Sequence, residues 1–340
     1  MDWDTLQKSA RKNFNGACRV CRVCNGIVCA GEVPGMGGLG TGTSFTNNVK
    51  ALADVKFNLR TIHAVNVPNL AVTLLGLSLE LPVIAAPIGG ISLNMRGAMS
   101  EADYVSAIVS GCAKAGVVAM TGDGPKPEIF AAGLAALENE KGRVIPVIKP
   151  REPKQIVLLA QQAAAAGALA FGMDIDAAAL VNMTRAGQAV GPKSLSELKY
   201  IKQHTTIPFI VKGIMTGDEA EACYQAGVDA IVVSNHGGRA LDHTPGTAEV
   251  LGEISQAVKG KVKIFVDGAI QTGADILKML ALGADAVLIG RFLAKAAVGG
   301  GSDGVAFALE RLKNELQAAM ILTGTADVKG VPPTIIRLSD

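Results

Sequence analysis

Apolar positions along this chain follow two alternating periods. From about residue 82 onward, short runs rich in β-branched residues alternate with longer stretches in which apolar positions recur at helical spacing. The runs predict strands at Pro82–Ala86, Val117–Thr121, Val144–Lys149, Ala168–Asp174, Pro208–Gly213, Asp229–Ser234, Val262–Asp267 and Asp285–Gly290. The stretches between them predict helices over Ser100–Gly116, Lys126–Glu140, Pro153–Gly167, Ser194–Thr205, Gly217–Gly227, Thr247–Lys259 and Thr272–Gly283, with a last helix from about Ser302 to Leu322. Ala115-Gly116, Ala166-Gly167, Ala226-Gly227 and Leu282-Gly283 close helices just before a strand, as a C-terminal capping glycine does. Eight strand–helix units in one chain predict an α/β fold, a (β/α)8 TIM barrel. A doubly wound open sheet is the alternative, and it would gather ligand residues at one switch point instead of at many strand ends.

The first 57 residues break this rhythm. A short polar helix is expected over Asp4–Asn13, without a long apolar face. A cysteine-bearing segment follows, then a glycine-dense loop over 31–48 and a helix over Asn48–Phe57. The loop reads as a linker or as a cover over a ligand. We therefore divide the chain into an N-terminal extension, 1–57, and a barrel, 58–340.

Composition narrows the partners. The chain is 49% hydrophobic but only 4% aromatic, with 40 glycines, which suits buried parallel strands under closely packed helices. A net charge of +2 gives no reason to expect nucleic acid or an acidic membrane surface. No apolar run reaches the roughly 18 residues of a membrane span. The start, Met1-Asp2-Trp3-Asp4, lacks the basic-then-apolar order of a secretory signal, so a cytoplasmic location is expected.

Candidate chemistry sits where a barrel would put it. Asp174 ends strand four, Lys212 lies near the end of strand five, and Ser234-Asn235-His236-Gly237-Gly238-Arg239-Ala240-Leu241-Asp242 follows strand six. Asp267-Gly268 ends strand seven and Gly290-Arg291 ends strand eight. A histidine can move a proton near neutral pH, and an arginine three residues later offers a planar fork to an anion. The loops after strands seven and eight are the usual phosphate cradle of this architecture.

The stretch Ser234–Asp242 resembles the signature of the FMN-dependent α-hydroxy-acid oxidases and dehydrogenases, the glycolate oxidase and lactate oxidase type. Ala85-Ala86-Pro87-Ile88, Val211-Lys212-Gly213, Val266-Asp267-Gly268, Leu280–Ala284 and Ile289-Gly290-Arg291 match at the expected spacing, over about residues 45–325. The resemblance implies an enzyme that oxidises a small α-hydroxy acid or related anion. It makes His236 the proton acceptor, Asp174 the stabiliser of the imidazolium, Arg239 the carboxylate clamp and Lys212 the partner of the flavin ring. It places Ala86, Pro87, Ile88, Gly89 and Ser234 on the flavin, and Asp267, Gly268, Gly290 and Arg291 around its phosphate end. Other family positions differ. Pro146 stands for a substrate tyrosine and Val144 for a flavin glutamine. Gln271 stands for a phosphate arginine, and Ile175–Ala179 for the second carboxylate arginine. Lys149, Asp123 and Lys126 are candidate replacements. A non-redox flavin isomerase and a flavin-binding electron carrier or sensor are the alternative functions.

Cys18, Cys21, Cys24 and Cys29 lie outside the resemblance. Thiols crowded this closely in a reducing compartment read as metal ligands. The C-x2-C-x2-C core and a flavin in the same chain favour a [4Fe-4S] cluster passing electrons onward, with zinc as the structural alternative. The electron acceptor is expected to be oxygen or a redox partner, and the assembly a homo-oligomer.

Overall fold

In the computed structural model, residues 1–338 are described. Eight parallel strands close into a barrel: β1 (Val83–Ala85), β2 (Val118–Thr121), β3 (Val144–Ile148), β4 (Phe171–Asp174), β5 (Phe209–Ile214), β6 (Ala230–Val233), β7 (Lys263–Val266) and β8 (Ala286–Ile289). β8 pairs with β1 to complete the ring. Nearly every strand residue is buried, because side chains point either into the barrel or under the helices. The expected α/β barrel is therefore the fold, and the open-sheet alternative is not.

One irregularity serves the site. The β5–β6 register shifts between Lys212 and Ile214, and Gly213 at the bulge has φ +113°. A Cβ there would sit 2.6 Å from the Asp176 side chain, so the glycine makes room for that carboxylate.

The helix expected over Asn48–Phe57 instead spans Thr43–Asp54. Asn48, the expected start, is instead buried inside the helix and bonds Asn235 across the molecule. The true start is capped from a distance: Asp242 accepts from the N–H groups of Thr41 and Ser44. The first helix, Trp3–Phe14, carries a narrow apolar stripe, Leu6, Ala10 and Phe14, one residue per turn. It docks on the last helical stretch, where Gly299 lets the backbones approach and Trp3 stacks on Phe292 at 5.0 Å. That last stretch, Arg291–Thr323, is two helices joined at a kink at Gly300 and Gly301. The first of them begins at the barrel mouth, a helix the apolar period did not reveal.

A hairpin, Val72–Leu74 with Leu77–Leu79, precedes β1 and buries its apolar face in the core. Lys56–Phe57 pairs with Ile336–Arg337 near the chain's end. Among the described residues, no helix is long and apolar enough to cross a membrane.

Candidate active site at the barrel mouth

The C-terminal ends of the strands surround a cavity of about 440 Å3, the size that takes a cofactor or drug-sized ligand. Ala86–Gly90 after β1, Lys149, Lys212, His236, Arg239, Asp267, Gly268, Gly290 and Arg291 all line it. Ser234 and Asp174 do not: both are buried behind its wall.

His236 is held from two sides. Its backbone takes φ +58°, a strained value for a residue with a Cβ, followed by Gly237 at +62° and Gly238 at +77°. The Ser234 hydroxyl accepts from the His236 N–H at 3.0 Å and donates to Asp267 Oδ2 at 2.8 Å. Ser234 thus pins the loop, where the sequence had placed it on the flavin. The two glycines make close approaches possible. A Cβ on Gly237 would meet Arg291 Nη1 at 2.7 Å, and one on Gly238 would meet Phe45 N at 2.5 Å.

The imidazole partner is Asp176, where the sequence pointed to Asp174. His236 Nδ1 bonds Asp176 Oδ1 at 2.9 Å, whereas Asp174 Oδ1 lies 3.9 Å away. Nδ1 donates to a carboxylate, which leaves Nε2 as the basic nitrogen. Asp174 instead takes Lys149 Nζ at 2.7 Å on one oxygen and Lys212 Nζ at 3.1 Å on the other. Burial alone would raise the Asp174 carboxyl, but Lys149 and Lys212 outweigh it and hold it well below the usual range. Burial alone would push Lys212 down, but Asp174, Asp176 and Asp267 outweigh it and hold it up, so it stays charged. Asp267, 3.7 Å from Lys212, is pushed up by burial. Asp174, Asp176 and His236 form a set of three possible metal ligands, but Lys212 already supplies a cation beside it. Asp176 was legible in the sequence as the second acid of Asp174-x-Asp176, in the segment noticed only for its missing arginine.

Arg239 and Arg291 direct their hydrogen bonds to neutral oxygens. Arg239 Nη1 donates to the Gly35 carbonyl, and Nη2 to Asn94 Oδ1 at 2.8 Å. Arg291 Nε donates to the Met36 carbonyl at 2.8 Å, its Nη2 to the Gly37 and Gly237 carbonyls at 3.0 Å, and its plane lies over Phe45 at 3.9 Å. Its fork thus holds the glycine-rich loop against the mouth, and it lines the cavity beside Gly268 and Gly290, where the sequence expects the phosphate. Burial, with Arg291 close by, pushes the Arg239 guanidinium down to about 9. A bound anion would relieve that cost for both arginines.

Of the candidate replacements, Lys149 is committed to Asp174. Asp123 pairs with Arg151 at 3.0 Å and accepts from the Lys149 N–H, tying the loop after β2 to β3. Lys126 is mostly exposed, 3.7 Å from Glu128.

The four N-terminal cysteines line one small cavity together with Met36, Arg291 and Lys295. Cys24, Met36, Arg291 and Lys295 also line the large cavity, so the two share a wall. Gln271 Nε2 donates to the Cys24 carbonyl at 3.1 Å. Burial pushes the Cys18 and Cys29 thiols up. No three of the sulfurs lie within 4.8 Å of one another among the described residues. Cys112 and Cys223 are packed in the core on helices.

The family model for FMN-dependent dehydrogenase matches residues 35–194 and 187–338. Mouse (Mus musculus) 2-hydroxyacid oxidase 1 is 45% identical over 151 residues, 44% of this chain and 41% of that protein. The 2-hydroxyacid oxidase of Dictyostelium discoideum is 48% identical over 141 residues, 42% of this chain and 36% of that protein. L-lactate dehydrogenase of Xanthomonas campestris pv. campestris (strain B100) is 46% identical over 135 residues, 40% of this chain and 35% of that protein. The chain thus spans about two fifths of the length of the curated relatives it matches. A crystal structure of mandelate oxidase superposes with a TM-score of 0.82 at 28% identity, covering 99% of this chain and 98% of that one. With the family model spanning both halves of the barrel, the chain belongs to the FMN-dependent dehydrogenase family.

Proposed function

We propose that this chain oxidises a small α-hydroxy acid or related anion, with FMN in the large cavity. One observation carries the reading: a histidine oriented through Nδ1 by the Asp176 carboxylate lines the same cavity as Arg239 and the charged Lys212. The names of the relatives, 2-hydroxyacid oxidase, L-lactate dehydrogenase and mandelate oxidase, point the same way.

The residues present fit the cofactor. The backbone of Ala86–Gly89 would lie beside the ring, and Lys212 would place a buried cation near it. A Cβ on Gly290 would make only ordinary contacts, at 3.5 and 3.6 Å with Ala86 and Ile88, so space remains beside it. The helix that starts at Arg291 turns its N-terminus to the cavity and, with Gly268, suits a phosphate. When bound, FMN supplies the acceptor for the two electrons leaving the substrate. The protein's own share is proton transfer, charge and position. His236 Nε2 takes the substrate proton, Asp176 stabilises the imidazolium through Nδ1, and the carboxylates around Lys212 keep it cationic. Arg239 turns to the substrate carboxylate.

We infer further that Cys18, Cys21, Cys24 and Cys29 hold an iron-sulfur cluster, which would supply one-electron chemistry toward oxygen or a redox partner. Two features support this. All four cysteines line one small cavity that shares a wall with the large one. Arg291 and Lys295 stand beside them to offset thiolate charge.

Anaerobic titration of purified protein with α-hydroxy acids tests the main reading. A substrate should bleach the flavin, and His236→Gln should slow bleaching by about 10²–10⁴-fold. Wild-type rates in that variant would move the base elsewhere. Iron with acid-labile sulfide is the result expected for the cysteines, and zinc alone would make the segment a structural clip.

A further inference from the structure

Three barrel loops meet at a chain of amides beside Arg239. Asn94 follows β1, Asn182 follows β4 on the short helix Val181–Arg185, and both line the large cavity. Asn94 Nδ2 donates to the Gly89 carbonyl at 2.9 Å, which orients its amide. Its Oδ1 then accepts from Arg239 Nη2 at 2.8 Å and from Asn182 Nδ2 at 3.3 Å. Turning Asn94 round would set its oxygen against the Gly89 carbonyl and its NH2 against a guanidinium. Turning Asn182 round would set two amide oxygens together. The network therefore fixes both amides and leaves Asn182 Oδ1 as an acceptor. That oxygen is buried and has no hydrogen-bond partner, in a residue only 9% exposed. Unlike the unpartnered oxygens of Asp174 and Asp176, which face Lys212, it has no lysine beside it to compensate.

We propose that Asn182 selects the substrate, and that this substrate is an α-hydroxy acid bearing a further hydroxyl on its side chain. The proposal rests on the oxidation reading above. With the carboxylate held at Arg239, a side-chain O–H can donate to Asn182 Oδ1, satisfying an acceptor that an alkyl or aryl side chain leaves bare. A site built around a hydrogen bond to the substrate discriminates against the analogue that lacks the donor. Asn182 stands in the loop where the family's second carboxylate arginine is missing, so a neutral acceptor there changes what the pocket reads beyond the first anionic group.

The test compares both enantiomers of glycerate and lactate, near-isosteres differing by one hydroxyl, in anaerobic flavin reduction. Glycerate is expected to exceed lactate in kcat/KM by at least about tenfold. Asn182→Leu should bring the ratio close to one by lowering glycerate more than lactate, and Asn182→Asp, which keeps an acceptor, should preserve the preference. A wild-type ratio near one, or a ratio unchanged in Asn182→Leu, overturns the proposal. Binding gives a second readout that needs no oxidation: 3-hydroxypropanoate should raise the melting temperature more than propanoate in wild type and equally in Asn182→Leu. If no hydroxy acid reduces the flavin but this binding preference holds, the oxidation reading fails and the recognition site stands. Equal shifts in wild type sink the recognition site whatever the kinetics show.

Discussion

The barrel and the cover over its mouth are held together by different physics. The barrel strands are buried along almost their whole length, and their stability comes from apolar area removed from water. Residues 18–42 contain few buried apolar side chains and are fastened by polar contacts to barrel loops. Arg291 holds the Met36 and Gly37 carbonyls, Arg239 the Gly35 carbonyl, Gln271 the Cys24 carbonyl, and Asp242 the Thr41 N–H. Each of these anchors lies beyond a strand end that also builds the cavity, while Arg11 of the first helix holds the Arg19 and Val20 carbonyls. The cover is thus tied mainly to the site, with only Val20 and Met36 reaching the core, and it can loosen without unfolding the barrel.

Breaking the buried charges beneath the cover should have the largest effect. Asp174→Ala leaves Lys149 and Lys212 without their shared carboxylate in the interior. Global stability should fall by about 3–5 kcal/mol in urea unfolding, the usual cost of removing one partner of a buried pair. Asp176→Asn should separate the two roles: it keeps the shape, spares the lysine pair on Asp174, and removes the charge that faces the imidazolium. Its loss should appear in flavin reduction more than in urea. Equal damage to both would mean that Asp176 is a packing residue.

Asp242→Ala should act on the cover alone. It removes bonds to Thr41, Ser44 and His243, at least one worth about 1.5–3 kcal/mol as a charge-assisted bond. Proteolysis within residues 18–42 should quicken, with the barrel's urea midpoint nearly unchanged. The same anchor predicts a pH dependence. Burial alone would raise the Asp242 carboxyl, but the bonds from Thr41, His243 and Ser44 outweigh it and hold it below its usual range. Its contribution is therefore fully present above the unfolded carboxylate value of about 4 and is lost as the pH falls further. Protection of the cover should drop between about pH 4 and 2 in wild type, and this drop should flatten in Asp242→Asn. Protection in wild type that ignores pH would show that Asp242 is not the anchor.

The smallest effect is expected at Arg19–Glu32, a pair at 2.7 Å within the cover whose side chains are 46% and 31% exposed. Solvent screens such pairs, so Arg19→Ala should leave melting and proteolysis unchanged within error. A measurable loss would mean that the cover owes more to its own surface charges than to the barrel loops.

The sequence by itself determined the barrel and the place of its candidate chemistry. Seven strands fall within the apolar runs and the fifth oversteps its run by one residue, Ile214, because a parallel strand buried on both faces must be apolar throughout and leaves a plain signal. His236 and Arg239 were legible because glycines and chemistry-bearing residues directly after a strand can serve few other purposes. Tertiary structure decided which partner each group meets. Asp174 and Asp176 are two residues apart at the end of one strand, and only the bulge at Gly213 and the positions of Lys149 and Lys212 give one to the lysines and the other to His236. Nothing local shows that the Arg291 fork also carries the glycine-rich loop, and Asn48 looked like a helix start until Asp242, 194 positions away, supplied the cap from across the mouth. Periodicity reports local burial, a property of each strand and helix by itself. Hydrogen bonds between loops depend on where distant segments land, and no local pattern encodes that.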